Sequence, residues 1–152
     1  MSAELMQLAI DVAERSHAGQ LYDGKPFIEH VRAVLKCVRE TSRDHLDAVV
    51  SILHDVVEDS DVTIADIRQQ FGDDIADAVE SITKRKGEPY GDYIRRCARN
   101  PRAMRVKLCD LACNINNLLH ADRNHPKRKN LAKYNKARSY LTSYMDRERV
   151  IA

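Results

Sequence analysis

Tryptophan is absent from this 152-residue chain, phenylalanine occurs twice, and tyrosine brings the aromatic total to eight. A surface that binds single-stranded nucleic acid by stacking interleaves aromatics with a basic stripe, and no such stripe is evident, so a nucleic-acid partner is disfavoured. Glycine and proline are scarce, with 5 and 4 residues, and no alternating β-branched run bounded by turns occurs, so strands are not expected. No apolar run approaches the roughly 18 residues that a membrane span requires. Met1 to Ala9 hold no basic stretch followed by an apolar core, so no secretory leader is read and the expected location is cytoplasmic, with no membrane partner. The four cysteines, Cys37, Cys97, Cys109 and Cys113, include no C-x-x-C pair and no zinc-finger spacing. They are expected to be reduced thiols that mostly fill the core.

What is present describes a globular chain, 43% apolar and 32% charged, of a length that suits one domain spanning residues 1–152. The net charge of +2 conceals a division. Residues 1–80 carry 7 basic and 17 acidic side chains, and residues 81–152 carry 18 and 6. A basic half can attract phosphates, nucleic acid or an acidic surface, or the two halves can be faces of one domain that pair with each other.

Apolar spacing reads as helix almost throughout. Leu5, Leu8, Ala9, Val12 and Ala13 form a stripe over roughly residues 2–18. A Gly- and Pro-containing loop, His17 to Pro26, precedes a second helix marked by Val31, Val34, Leu35 and Val38. Residues 45–58 are apolar nearly all round, as in a helix buried within a bundle. Thr63 and Asp66 resemble a capping pair for a short helix that ends near Phe71-Gly72. Asp73 or Asp74 opens another, to about Thr83. The basic loop Lys84-Arg85-Lys86-Gly87 leads to a short helix near 90–99. Asn100-Pro101 then starts a long one, with Asn at the cap and Pro in the first position, and Pro126 starts the last, with Leu131, Tyr134, Ala137, Leu141 and Tyr144. The expectation is an all-α bundle of seven or eight helices.

One cluster conflicts with this pattern. His54, Asp55, Glu58 and Asp59 lie in and just beyond the most apolar segment, where isolated charges cost several kcal/mol each unless paired or bound to a metal. His30 at the start of the second helix, and Asp110 with Asn114 one turn later in the long helix, supply matching groups from other elements. Imidazole and carboxylate together suit a divalent cation of the Mn, Fe or Zn type.

The order His30, His54-Asp55, Asp110 resembles the HD superfamily of metal-dependent phosphohydrolases. Within it, several stretches resemble the hydrolase domain of RelA/SpoT-type enzymes and the small alarmone hydrolases of the metazoan SpoT-homologue type. These are His17-Ala-Gly-Gln20, Gly24-Lys-Pro-Phe-Ile-Glu-His30, Leu53-His-Asp-Val-Val-Glu-Asp-Ser60, Phe71-Gly72, Ile82-Thr-Lys84 and Val106-Lys-Leu-Cys-Asp110. The resemblance implies an HD-domain helical bundle and a single Mn²⁺ per chain held by His30, His54, Asp55 and Asp110. It makes Glu58 and Asp59 the catalytic acidic pair beside the metal. It places Asn114 near the nucleotide ribose and Tyr134 in the substrate pocket. The implied reaction is release of pyrophosphate from the 3′ position of guanosine tetra- or pentaphosphate, with a small-molecule nucleotide as partner.

The chain also departs from the family. The loop after Gln20 reads Leu21-Tyr22-Asp23 and lacks the arginine that packs on the base, Val31 replaces a proline, and Leu111 and Ile115 replace basic residues. Weak base selectivity is therefore expected, with Tyr22 stacking in place of the arginine. The 84–86 loop is expected to offset phosphate charge. Two rivals are kept: an HD phosphohydrolase for another nucleotide or dinucleotide, and a non-catalytic nucleotide- or nucleic-acid-binding module. A synthetase domain is not expected in 152 residues, and a homo-oligomer is left open.

Overall fold

A computed structural model describes residues 2–151, and the side chains of residues 2–147. After α1 (Ser2–Ser16), a two-stranded hairpin, β1 (Leu21–Tyr22) and β2 (Lys25–Pro26), leads into α2 (Phe27–Thr41). Then follow α3 (His45–Leu53), the single turn α4 (Val56–Asp59), α5 (Ile64–Phe71) and α6 (Asp73–Ile82). The chain continues through α7 (Tyr90–Ala98), α8 (Pro101–His120), a 3₁₀ segment (Pro126–Asn130) and α9 (Leu131–Ile151). The described residues thus form an all-α bundle, with eight helices of eight residues or more, the α4 turn and one small hairpin.

Two helices form the centre. In α3 every residue from Asp47 to Leu53 is buried, and it packs on α1, α2, α6 and α8. α8 packs on α2, α3, α6, α7 and α9. Ala9, Val34, Val49, Leu53, Val79, Leu111 and Leu141 are all fully enclosed in the core. The helix starts follow the sequence signals. Thr63 and Asp66 form a reciprocal capping box, with Asp66 N–H donating to Thr63 Oγ1 at 3.1 Å and Thr63 N–H to Asp66 Oδ2 at 2.9 Å. Asn100 Oδ1 accepts from Ala103 N–H at 3.1 Å, with Pro101 in the first turn.

The structure corrects four expectations. The apolar 45–58 segment is not one helix: α3 ends at Leu53, and Asp55 takes φ −109°, ψ 0°, a bridge conformation common at active sites. The 17–26 loop contains a hairpin turned by Asp23-Gly24, with φ of 49° and 81°. Positive φ at both central residues is the tight hairpin geometry that an Asp-Gly pair favours. Pro126 opens the 3₁₀ segment, and α9 begins at Leu131. Finally, Cys37 of α2 is bonded to Cys109 of α8, with their Cα atoms 5.7 Å apart, within normal disulfide reach. Cys97 and Cys113 are free.

Asp47 also escaped the sequence reading. It is fully enclosed at the start of α3, accepting from Arg105 Nε at 2.6 Å, Arg102 at 3.1 Å and Ser42 at 2.6 Å. Two guanidiniums thereby join α3 to the first turns of α8 and offset the cost of burying the carboxylate.

Candidate metal centre and substrate pocket

The break between α3 and α4 makes the site. His54 closes α3, and its Nδ1 donates to the carbonyl of Ser51 at 2.6 Å. That bond fixes the tautomer and leaves Nε2 facing inward, as for an imidazole ligand held from behind. The kink then swings Asp55 towards the same point, with Oδ2 at 2.9 Å from His54 Nε2. His30, in the first turn of α2, brings Nε2 to 3.0 Å from Asp110 Oδ1 and 3.9 Å from Asp55 Oδ2. Asp110 Oδ1 lies 3.6 Å from His54 Nε2. Ligands about 2.0–2.2 Å from one ion sit roughly 3–3.5 Å apart at adjacent positions, so these spacings suit a single divalent cation. The inward Nε2 of His54 is buried and makes no hydrogen bond of regular geometry, although it faces the carboxylates of Asp55 and Asp110, an arrangement that suits a metal ligand. His30, His54 and Asp110 bring ligand atoms within 4.8 Å of one another and so fit a divalent cation, with Asp55 next to them at 2.9 Å from His54.

Lys107 was missed by the sequence reading. This buried lysine places Nζ 2.8 Å from Asp110 Oδ2, so one carboxylate oxygen is held by the ammonium while the other faces the histidines. Burial alone would push the Asp110 carboxyl up. Lys107, then His30 and His54, instead hold it well below the usual range. Burial pulls His54 down, but Asp55 and Asp110 outweigh it and raise the imidazole well above its ordinary value. A cation must displace that proton, so affinity for metal falls as pH falls.

The hairpin and α1 brace the cradle. His17 Nδ1 lies 2.8 Å from Gln20 Oε1, and Gln20 Nε2 donates to the carbonyl of Asp59 at 2.7 Å. Phe27 stacks on His17 at 4.5 Å and meets His30 edge-on at 5.7 Å. These contacts make His17, Gln20 and Phe27 scaffolding around His30.

A cavity of about 320 Å³ opens beside the ligands, and His30, Asp55, Glu58, Asp59, Asp110, Asn114 and Tyr134 all line it. Glu58 and Asp59 stand at its mouth. Glu58 Oε1 accepts from the backbone N–H of Lys84 at 2.7 Å. Partial loss of hydration pushes both carboxyls up, with Asp55 adding to the effect on each. Of the 84–86 loop, Lys84 alone lines the cavity, and Lys107 and Lys133 supply its other ammoniums. Lys133 is pulled down by burial and by Lys107, Lys84 and Lys129. Like charge gathered this closely suits a polyanionic guest.

Two expectations about recognition change. Asn114 is not free to reach a ligand with its whole amide. Its Nδ2 donates to Asp110 Oδ1 at 3.2 Å, and its Oδ1 accepts from the Tyr22 hydroxyl. Tyr22 lines the cavity, but part of its ring is already engaged. Its ring stacks on His30 at 4.8 Å, and the Lys127 ammonium lies over the ring at 4.7 Å from its centre. Asp23 holds Lys127 there, 3.2 Å away.

The model of the HD domain family matches residues 9–137, and the chain belongs to that family. It is 33% identical over 125 residues to a guanosine-3′,5′-bis(diphosphate) 3′-pyrophosphohydrolase of Aquifex aeolicus, covering 76% of this chain and 18% of that protein. It is 33% identical over 119 residues to the bifunctional (p)ppGpp synthase/hydrolase SpoT of Escherichia coli, covering 70% and 17%. A probable GTP pyrophosphokinase of Mycobacterium leprae is 33% identical over 121 residues, covering 73% and 15%. The chain thus spans less than a fifth of these curated relatives. A solved structure described as a metazoan ortholog of SpoT that hydrolyzes ppGpp superposes with a TM-score of 0.74 at 23% identity, covering 90% of this chain and 84% of that one. The superposition supports the helical fold. Among the described residues no helix is long and apolar enough to cross a membrane.

Proposed function

We propose that residues 1–152 act as one HD-type phosphohydrolase that removes the 3′-pyrophosphate of guanosine tetra- or pentaphosphate, giving GDP or GTP and pyrophosphate, with Mn²⁺ as the metal. The observation that carries the reading is the buried cluster of His30, His54 and Asp110, with Asp55 beside it, opening onto a pocket that three lysines help to line. Relatives named for this chemistry support it. Bound in the cradle, a divalent cation supplies the Lewis acidity that activates water near neutral pH and offsets charge on phosphate oxygens.

The chain's own residues do the rest. Glu58 and Asp59 accept the proton of the attacking water, and their raised carboxyls are better matched to that task than ordinary ones. Glu58 is aimed by the Lys84 N–H. Lys84, Lys107 and Lys133 hold the phosphates and oppose the charge that gathers on them in the transition state. Asn114 and Tyr134 border the nucleoside. Tyr22 lines the pocket, and an aromatic face stacks on any base without reading its edge, so selectivity for guanine is modest.

The test is turnover of the Mn²⁺-loaded protein on guanosine and adenosine 3′-pyrophosphates, following pyrophosphate and orthophosphate separately. Pyrophosphate release from both, with kcat/KM differing by less than about 10³, roughly 4 kcal/mol, fits the reading. A larger preference would reveal a base-reading element not identified here. No turnover of either would move the activity to another nucleotide or dinucleotide.

A further inference from the structure

Of the ammoniums that line the substrate pocket, that of Lys107 gives one donor to Asp110 at 2.8 Å. Lys133 has no such acid. The charged groups that act on it are all lysines, namely Lys107, Lys84 and Lys129, and it stands exposed in the first turn of α9. A lysine there has two other places to go. One is bulk solvent, and the other is a cavity of about 400 Å³ between α7 and α9, which Lys133 also lines. Repulsion between like charges and side-chain entropy both favour leaving the pocket. What opposes them is aromatic. The Lys133 ammonium lies 4.6 Å from the centre of the Tyr90 ring and 5.4 Å from that of Tyr134, both within cation–π range.

Tyr90 is itself fixed. It opens α7 after Pro89, and its ring lies 5.9 Å from that of the buried Tyr93 and 6.3 Å from that of Tyr134. Its hydroxyl is buried with no hydrogen-bond partner, so the ring face is the part of the side chain that meets a charged group. An ammonium held by a ring keeps its charge and its N–H groups for an anion, whereas a carboxylate partner would neutralise it and compete with the guest. We propose that Tyr90, assisted by Tyr134, is a positioning residue that holds the Lys133 ammonium at the substrate pocket, without an acidic partner and available to a substrate phosphate. That the anion is a phosphate rests on the proposed function; where the ammonium is held does not.

The experiment has two arms, both on the full chain. In the first, the ε-methylene resonances of isotope-labelled lysines are recorded by NMR without manganese, and Lys133 is assigned by the signal lost in Lys133→Ala. Ring currents should place that signal upfield of the other exposed lysines in the wild type. Tyr90→Phe should keep it there, because it retains the ring and removes an oxygen that bonds to nothing. Tyr90→Leu should return it towards the ordinary lysine position. In the second arm, Tyr90→Leu should raise KM for guanosine tetraphosphate roughly two- to fivefold, the scale of one exposed cation–π contact, with kcat within about twofold. Tyr90→Phe should restore KM, and Tyr90→Leu should add nothing in the Lys133→Ala background. Circular dichroism checks the fold of each variant. An ordinary resonance position for Lys133 in the wild type overturns the proposal. So does an equal KM rise from Tyr90→Leu with and without Lys133, since the ring would then meet substrate directly. A KM rise in Tyr90→Phe also overturns it, by giving the role to the hydroxyl. No turnover by the wild type, with the resonance pattern as expected, would count against the proposed function while supporting the placement of Lys133.

Discussion

The cradle and the mouth of the pocket are built by opposite means. The cradle draws its four candidate ligand side chains from α2, the α3–α4 break and α8, with His30, His54 and Asp110 buried and His54 and Asp110 braced from behind. The mouth is assembled from Tyr22 of the hairpin, Glu58 and Asp59 of α4, Lys84 and the start of α9, through exposed or half-buried side chains. Burial makes the cradle unforgiving, because removing one partner of a buried charged group leaves the others uncompensated. The mouth can vary with smaller losses. The same fold can therefore keep its chemistry while changing what it admits.

The largest expected effect breaks the cradle itself. Asp110→Ala or His54→Ala should abolish turnover and lower Mn²⁺ affinity by at least about 100-fold, read by calorimetry, because each removes a ligand and strands its neighbours. Wild-type affinity should also weaken as pH falls, since protons compete for His54. Next, Glu58→Gln with Asp59→Asn should lower kcat by about 10²–10⁴ while leaving Mn²⁺ affinity within a few-fold. Comparable loss of metal would place this pair in the cradle instead of at the mouth.

A third change tests the scaffold behind the cradle. The Cys37–Cys109 bond closes a sequence separation of 72 residues, for which the loop-entropy relation gives about 4 kcal/mol of stabilisation. Cys37→Ser should lower the unfolding free energy by an amount of that order, measured in urea without reductant. Equal stability of variant and parent would show that the pair is not bonded in solution.

These effects also mark what the sequence could disclose. The clustering of His30, His54 and Asp110 was legible because a His or Asp in an apolar helix must have a partner, and the motif gave their order. The Thr63–Asp66 box and Asn100-Pro101 cap were legible because they are local. The α3–α4 break was not: Leu53 and Val56 are both apolar, so hydrophobic spacing runs through it unchanged. The hairpin had a signal in Asp23-Gly24, but strands of two residues show no alternation. Lys107 and Lys133 sit among many basic residues, and nothing nearby in sequence separates a pocket lysine from a solvated one. The Cys37–Cys109 pair joins distant helices, beyond any spacing rule. Tyr22 was identified as important, but its covering by His30 and Lys127 depends on packing across three elements.

Smaller effects are expected at the mouth. Lys133→Ala should raise KM for a polyphosphate substrate by roughly tenfold, the scale of one charge-assisted contact, with kcat much less affected. A matching fall in kcat would move Lys133 into transition-state stabilisation. The smallest effect concerns acid stability. Arg96, followed by the backbone N–H of Arg85, holds the Glu88 carboxyl down to about 2. With the folded value depressed, this contribution is present above the unfolded carboxylate value and is lost as pH falls towards about 2. Glu88→Gln should flatten that part of the stability curve and change little at pH 7 beyond the loss of the ion pair.

That ion pair has a reach beyond its own energy. Arg96 bonds Glu88 and also donates to the carbonyls of Glu80 at 2.7 Å and Thr83 at 2.6 Å. The next backbone N–H, that of Lys84, is the one that aims Glu58. Glu58, the proposed proton acceptor, therefore takes its bearing from a guanidinium on another helix, through the Thr83–Lys84 peptide. A lineage could retune turnover by loosening or tightening this clasp, leaving every group that touches substrate unchanged.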